Sequence, residues 1–165
     1  NLINKINMIK EILELIGITL IPGLELRASI PYGILQTELH WFTIFFICVI
    51  VNIILGVIIY FLLDKVVHLF FFWKWFHKLY HKIVERSQKK IQKYVDKYGT
   101  IGLALFIGIP LPGSGVYTGA LGAYVLGFGY RRFIIASTIG VLIAGVLVTA
   151  IMLSGNGLFN FLVKV

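Results

Sequence analysis

Two uninterrupted apolar runs limit what this chain can become. Trp41–Leu63 and Phe133–Gly155 are each 23 residues long and hold no charged side chain. About 20 such residues suffice to cross a bilayer, so both read as transmembrane helices. Trp41 and Tyr60, near the ends of the first, suit the membrane–water interface. Composition agrees, with 59% hydrophobic and 13% charged residues over 165 positions, where a soluble domain carries about 25% charged. The expected fold is an all-α integral membrane protein, residues 1–165 forming one membrane domain.

Two further segments are apolar but broken. Residues 12–37 contain Pro22, Gly23, Glu25, Arg27, Pro31 and Gly33; residues 99–130 are uncharged, with nine glycines, Pro110 and Pro112. Proline removes a helical hydrogen bond and biases the residue before it away from helix, so each segment should break near its centre. Broken backbone at membrane depth survives only when buried in protein or facing a watery cavity. Each segment is therefore expected to be a re-entrant hairpin or a discontinuous helix.

Ile21-Pro22-Gly23 and Leu111-Pro112-Gly113 lie 90 residues apart, and the same offset pairs Trp41 with Arg131. Both halves, 1–63 and 99–165, thus run apolar helix, Pro-Gly break, apolar helix, short turn, long span, which is an internal repeat. With both breaks re-entrant, each half crosses once and the two are inverted, the arrangement of many secondary transporters. With both spanning fully, the termini join the linker on one side.

That linker, 64–98, holds nine of the 15 Lys and Arg residues between Lys65 and Lys97. Basic segments beside spans are normally cytoplasmic, which predicts a multi-pass cell-membrane protein with a cytoplasmic linker and argues against nucleic acid as the partner. Lys74, Lys78, Lys82, Arg86 and Lys90 recur four apart with Phe76, Tyr80, Ile83, Ile91 and Tyr94 between them. This is the pattern of an amphipathic surface helix whose counter-ions are anionic headgroups. His77, His81 and Glu85 share a helical spacing, but their lysine neighbours would repel a metal ion. Cys48 is alone, so no disulfide framework exists. Residues 1–14 are mildly amphipathic and show no small-residue cleavage site.

The chemistry is concentrated at the breaks. Glu25 and Arg27 are the only charges deep in either half, and a charge at the bilayer centre costs on the order of 2.5–3.5 kcal/mol. Pro22 and Gly23 free backbone groups around them. Arg27 beside a half-helix N-terminus would receive a phosphate or carboxylate; Glu25 could pair with it or carry a proton. A purely structural buried ion pair is the competing account. The second break offers Pro112, Gly113, Ser114, Tyr117 and Thr118, glycine for close approach and hydroxyls that donate, or equally the small residues of tight helix packing. Asn52, the strongly polar residue inside the first span, is expected to make a helix–helix hydrogen bond, and Gly140 and Gly145 to pack closely.

The run from Pro22 to Gly33 (PGLELRASIPYG) and that from Ile109 to Leu121 (IPLPGSGVYTGAL) together resemble the prokaryotic family of putative small multidrug export proteins. The similarity extends over roughly residues 10–155. That family is distantly similar to the DedA and VTT-domain membrane proteins, which have paired re-entrant hairpins and are implicated in moving lipids, including polyprenyl-phosphate carriers. The resemblance implies that Glu25, Arg27 and the Pro112-Gly113 loop are functional hairpin tips. DedA proteins carry further charges on their hairpins, and the second hairpin here has none. The leading expectation is a proton-coupled translocator of an anionic lipid or polyprenyl phosphate. In that reading Arg27 holds the phosphate, Ser114, Tyr117 and Thr118 assist, and Glu25 carries the proton. The alternative is a proton-coupled exporter of cationic drugs, with Glu25 binding cation and proton in turn. Arg27 discriminates, since it favours an anion. A homodimer would help to enclose a pathway. No nucleophile–base pair, metal cluster or phosphate-binding loop of known spacing points to an enzyme, and no cofactor is expected.

Overall fold

The computed structural model describes residues 2–70, 99–110 and 113–163. Among these, all regular structure is helical: α1 (Leu2–Leu20), α2 (Glu25–Gln36), α3 (Trp41–Phe70), α4 (Thr100–Gly108), α5 (Val116–Val125) and α6 (Tyr130–Val163). Pro112 lies outside the described residues, as do Lys74, Lys78, Lys82, Arg86, Lys90, His77, His81 and Glu85.

The first break is a tight turn over residues 21–24. The Leu24 and Glu25 N–H groups both donate to the Ile21 carbonyl, at 3.1 and 3.3 Å, and Gly23 takes φ 85°. Pro31 causes no break; α2 carries it internally. The helix stops at Thr37, whose N–H and hydroxyl both donate to the Gly33 carbonyl. The second break, 109–115, is longer, and Gly113 there has φ 82°. These two left-handed glycines are 90 positions apart (113 − 23). The order helix, break, helix, short turn, long helix occurs twice.

Helices α1 and α2 pack antiparallel. Thr19 Oγ1 donates to Ser29 Oγ at 2.7 Å, the Tyr32 hydroxyl to Glu14 at 2.9 Å, and a β-carbon on Gly33 would meet both Leu15 and Ile44. Helices α4 and α5 also fold back, with Gly119 pressed against Ile107. The two long helices run antiparallel, in a register set by Gly145 against Val49 and Phe45, Gly56 against Ser137, and Tyr60 stacked on Phe133 with centroids 4.6 Å apart. Gly140 packs on the Ala104 carbonyl and Ile107, so α4 runs alongside α6.

Both long helices contain membrane-length apolar stretches, Trp41–Leu63 and Tyr130–Gly155. The second begins three residues before the uncharged run, because Arg131 and Arg132 are already helical, and α3 continues past Asp64 into the expected linker. Their faces are distributed as in a membrane protein. The exposed side carries Phe42, Phe46, Ile50, Ile54, Ile58 and Phe61 on α3, and Ile135, Ile139, Leu142 and Val146 on α6. The buried side of α6 is mostly small or polar, with Ala136, Ser137, Gly140, Ala144, Gly145 and Thr149 beside the larger Phe133, Val141 and Val148. Water would reverse that order. In lipid, large apolar side chains face the tails while small ones let backbones approach.

Candidate functional site

The site is where the two breaks meet. Glu25 opens α2 in the left-handed region, with φ 51°, as the one described non-glycine residue at positive φ. Such a backbone costs on the order of 1–3 kcal/mol and persists only where neighbours enforce it. Here Ser29 Oγ donates to the Glu25 carbonyl at 3.3 Å and itself accepts from Thr19. Thr19 and Ser29 are wholly buried, and neither stands out in the sequence except as a hydroxyl flanking a Pro-Gly turn.

Glu25 is 3% exposed. Its carboxylate crosses to the other half of the molecule and accepts the first two N–H groups of α5, from Val116 at 3.0 Å and Tyr117 at 3.3 Å. The α5 N-cap, Gly115, supplies no side-chain cap, so Glu25 does so from a distant element. An anion at a helix N-terminus meets orphan donors and the positive end of the dipole together. A β-carbon at Gly115 would lie 2.6 Å from Glu25 Oε2. Glycine there is therefore a condition of the contact.

Arg27 goes to the opposite kind of helix end. Its Nη2 donates to the carbonyls of Ile107 at 3.3 Å and Ile109 at 3.1 Å, to Ser114 Oγ at 3.2 Å, and to the Ser114 carbonyl. These oxygens belong to the C-terminus of α4 and the loop after it, where a cation is favoured. Arg27 stands in the first turn of the half-helix α2, but its guanidinium reaches the C-terminal end of α4, and the N-terminus of α5 is met by Glu25. Two side chains separated by two residues do not share a helix face, which lets one carboxylate and one guanidinium serve two different helices.

The remaining candidates divide. Ser114 accepts from Arg27 and donates to the Ile109 carbonyl at 2.7 Å. Tyr117 donates its N–H to Glu25 and its hydroxyl to the Leu20 carbonyl at 2.6 Å, a second tie between the breaks. Thr118 is part-buried on α5 and takes no part in these bonds. Pro22 and Gly23 shape the first turn, and Gly113 the second, from exposed positions. Asn52 departs from expectation, since its Oδ1 is buried without a hydrogen-bond partner among the described residues. The arrangement can stabilise a buried negative charge, exchange that charge's partners, and join the two halves through it.

Neither a curated protein nor a solved structure matches the chain. A family model does, over residues 25–147, and its first matched residue is Glu25. The match takes in both charges, the second break and most of both long helices, 123 of 165 residues (147 − 25 + 1). The chain belongs to the family described as putative small multi-drug export protein.

Proposed function

We propose that this membrane protein exports small amphiphilic cations, and that Glu25 is the group at which cation and proton alternate. The observation that carries the reading is the Glu25 carboxylate itself, the one buried acidic side chain among the described residues, held by two main-chain N–H groups of the opposite half. These bonds and the helix dipole hold the carboxylate at the α5 N-terminus. A cation or a proton reaching Glu25 replaces that partnership and frees the α5 N-terminus. Among the described residues the Tyr117–Leu20 bond and the Arg27 contacts would still tie the breaks together, but with one tie fewer, so occupancy of Glu25 is coupled to their separation.

Arg27 bears on the choice of substrate. Held for a phosphate, it would favour an anionic lipid or polyprenyl-phosphate carrier. Yet its Nη2 faces three carbonyl oxygens and a hydroxyl, and an incoming anion would meet that oxygen-rich end of α4. Meeting those oxygens also lowers the cost of a cation at Glu25. The family description, which names drug export, fits this reading better than lipid translocation.

The reading treats α1–α2 and α4–α5 as inverted re-entrant hairpins. Its support is depth: Ser29 and Thr19 lie level with Cys48, about a third of the way along its span, and Gly108 with Ile143, near the middle of its own. The basic segment 64–98 would then be cytoplasmic, with Lys74, Lys78, Lys82, Arg86 and Lys90 against anionic headgroups, and a homodimer would widen the enclosure.

The test is efflux of tetraphenylphosphonium from proteoliposomes under an imposed pH gradient, with fluorescent phospholipid and polyprenyl-phosphate analogues in parallel vesicles. Gradient-driven cation efflux, abolished in folded Glu25→Gln, is the expected result. Lipid movement lost in Arg27→Ala, with no cation efflux, would overturn the reading in favour of the anionic carrier.

A further inference from the structure

Asn52 on α3 and Ser137 on α6 are 1% and 2% exposed, and Asn52 Oδ1 and Ser137 Oγ have no hydrogen-bond partner among the described residues. A buried polar atom left unpaired costs about 1–3 kcal/mol, and such atoms in native proteins are usually met by ordered water. The helix register puts the two close together. A β-carbon on Gly56 would lie 3.0 Å from Ser137 Oγ, and Asn52 is one turn before Gly56, about 6 Å along the helix axis. Two hydrogen bonds to a single water bridge partners about 4.5 Å apart at the tetrahedral angle and at most about 5.6 Å. Asn52 Oδ1 accepts only, Ser137 can donate or accept, and a water can serve both. Two neutral oxygens are too few for a bare metal cation, which takes more ligands. Thr149 Oγ1 is also unpartnered, but lies about three turns further along α6.

We propose that Asn52 and Ser137 hold a buried water between the two long helices, and that this water is the proton's last station before Glu25. Val116 links the two places. Its side chain packs on Gly56, beside Ser137, while its N–H donates to the Glu25 carboxylate. The transfer is simple: a proton arriving on the water passes to a carboxylate oxygen as Glu25 leaves the α5 amides, and a neutral water remains. The relay role rests on the export reading above; the water site does not.

Hydroxyl-radical footprinting separates the two. Radicals generated from internal water modify side chains that bulk solvent cannot reach, and Phe133, 0% exposed, borders Gly56 together with Ser137. Phe133 should be modified in the wild type and spared in Asn52→Leu and in Ser137→Ala. The second variant removes one hydroxyl and guards against misfolding in the first. An unmodified Phe133 in folded wild type, or modification surviving both substitutions, would overturn the site. Under a pH gradient, Ser137→Ala should slow tetraphenylphosphonium efflux while leaving its equilibrium binding unchanged. Unchanged efflux with labelling lost would overturn the relay. Labelled Phe133 in a protein that moves no cation would sink the export reading and leave the water site standing.

Discussion

The two breaks solve the same problem with opposite resources. The first, residues 21–24, is short, closes on its own backbone and is followed at once by Glu25 and Arg27. The second, 109–115, is longer and carries no charge, yet it presents two raw helix ends to the interior, the carbonyls of α4 and the N–H groups of α5. The first break supplies the missing charges to both, a carboxylate to the amides and a guanidinium to the carbonyls. The charges in one half are therefore explained by the helix ends of the other. A lone buried charge is costly, and so is an uncapped helix end in lipid; each relieves the other.

The largest expected effect is at Arg27. Arg27→Met should lower stability by about 3 kcal/mol, since it removes the donor to the Ile107 carbonyl, leaves the Ile109 carbonyl to Ser114 alone, and leaves Glu25 without its compensating cation. Thermal unfolding in detergent checks this. The double variant Arg27→Met/Glu25→Gln should lose less than the two single losses added, because no uncompensated charge remains. Strict additivity would mean that the two charges act independently. Next comes Gly115→Ala, expected to cost about 2 kcal/mol through overlap with the carboxylate. Glu25→Asp, one methylene shorter, should restore part of that loss in the same assay.

Smaller effects test the parallel between the turns. Gly23→Ala and Gly113→Ala each place a β-carbon in the left-handed region, at φ 85° and 82°, and should each cost about 1 kcal/mol. Clearly unequal losses in melting would break the equivalence. Tyr117→Phe removes the bond to the Leu20 carbonyl and should cost about 1 kcal/mol or less. If efflux in that variant rises while stability falls slightly, the bond is a restraint on separation of the breaks.

Much of this was legible in the residues alone. Two charge-free stretches of 23 residues dictate spans, because no aqueous fold would expose so much apolar surface. Pro22-Gly23 and the glycines of 109–115 dictate interruptions, because proline withholds an N–H and glycine alone enters the left-handed region without strain. Glu25 and Arg27 stood out because charge is expensive within an apolar segment. Their partners were not legible. Sequence suggested that the two would bind each other or a ligand, whereas the fold sends them to helix ends 80 to 92 residues away. Asn52 reads as one half of a helix–helix hydrogen bond and Ser137 as an ordinary span residue, until the α3–α6 register buries both within a turn of each other. Hydropathy and backbone chemistry are local, so the sequence by itself determined the spans, the breaks and the costly residues. Which helix end meets which charge depends on how the halves dock, and only the tertiary structure decided that.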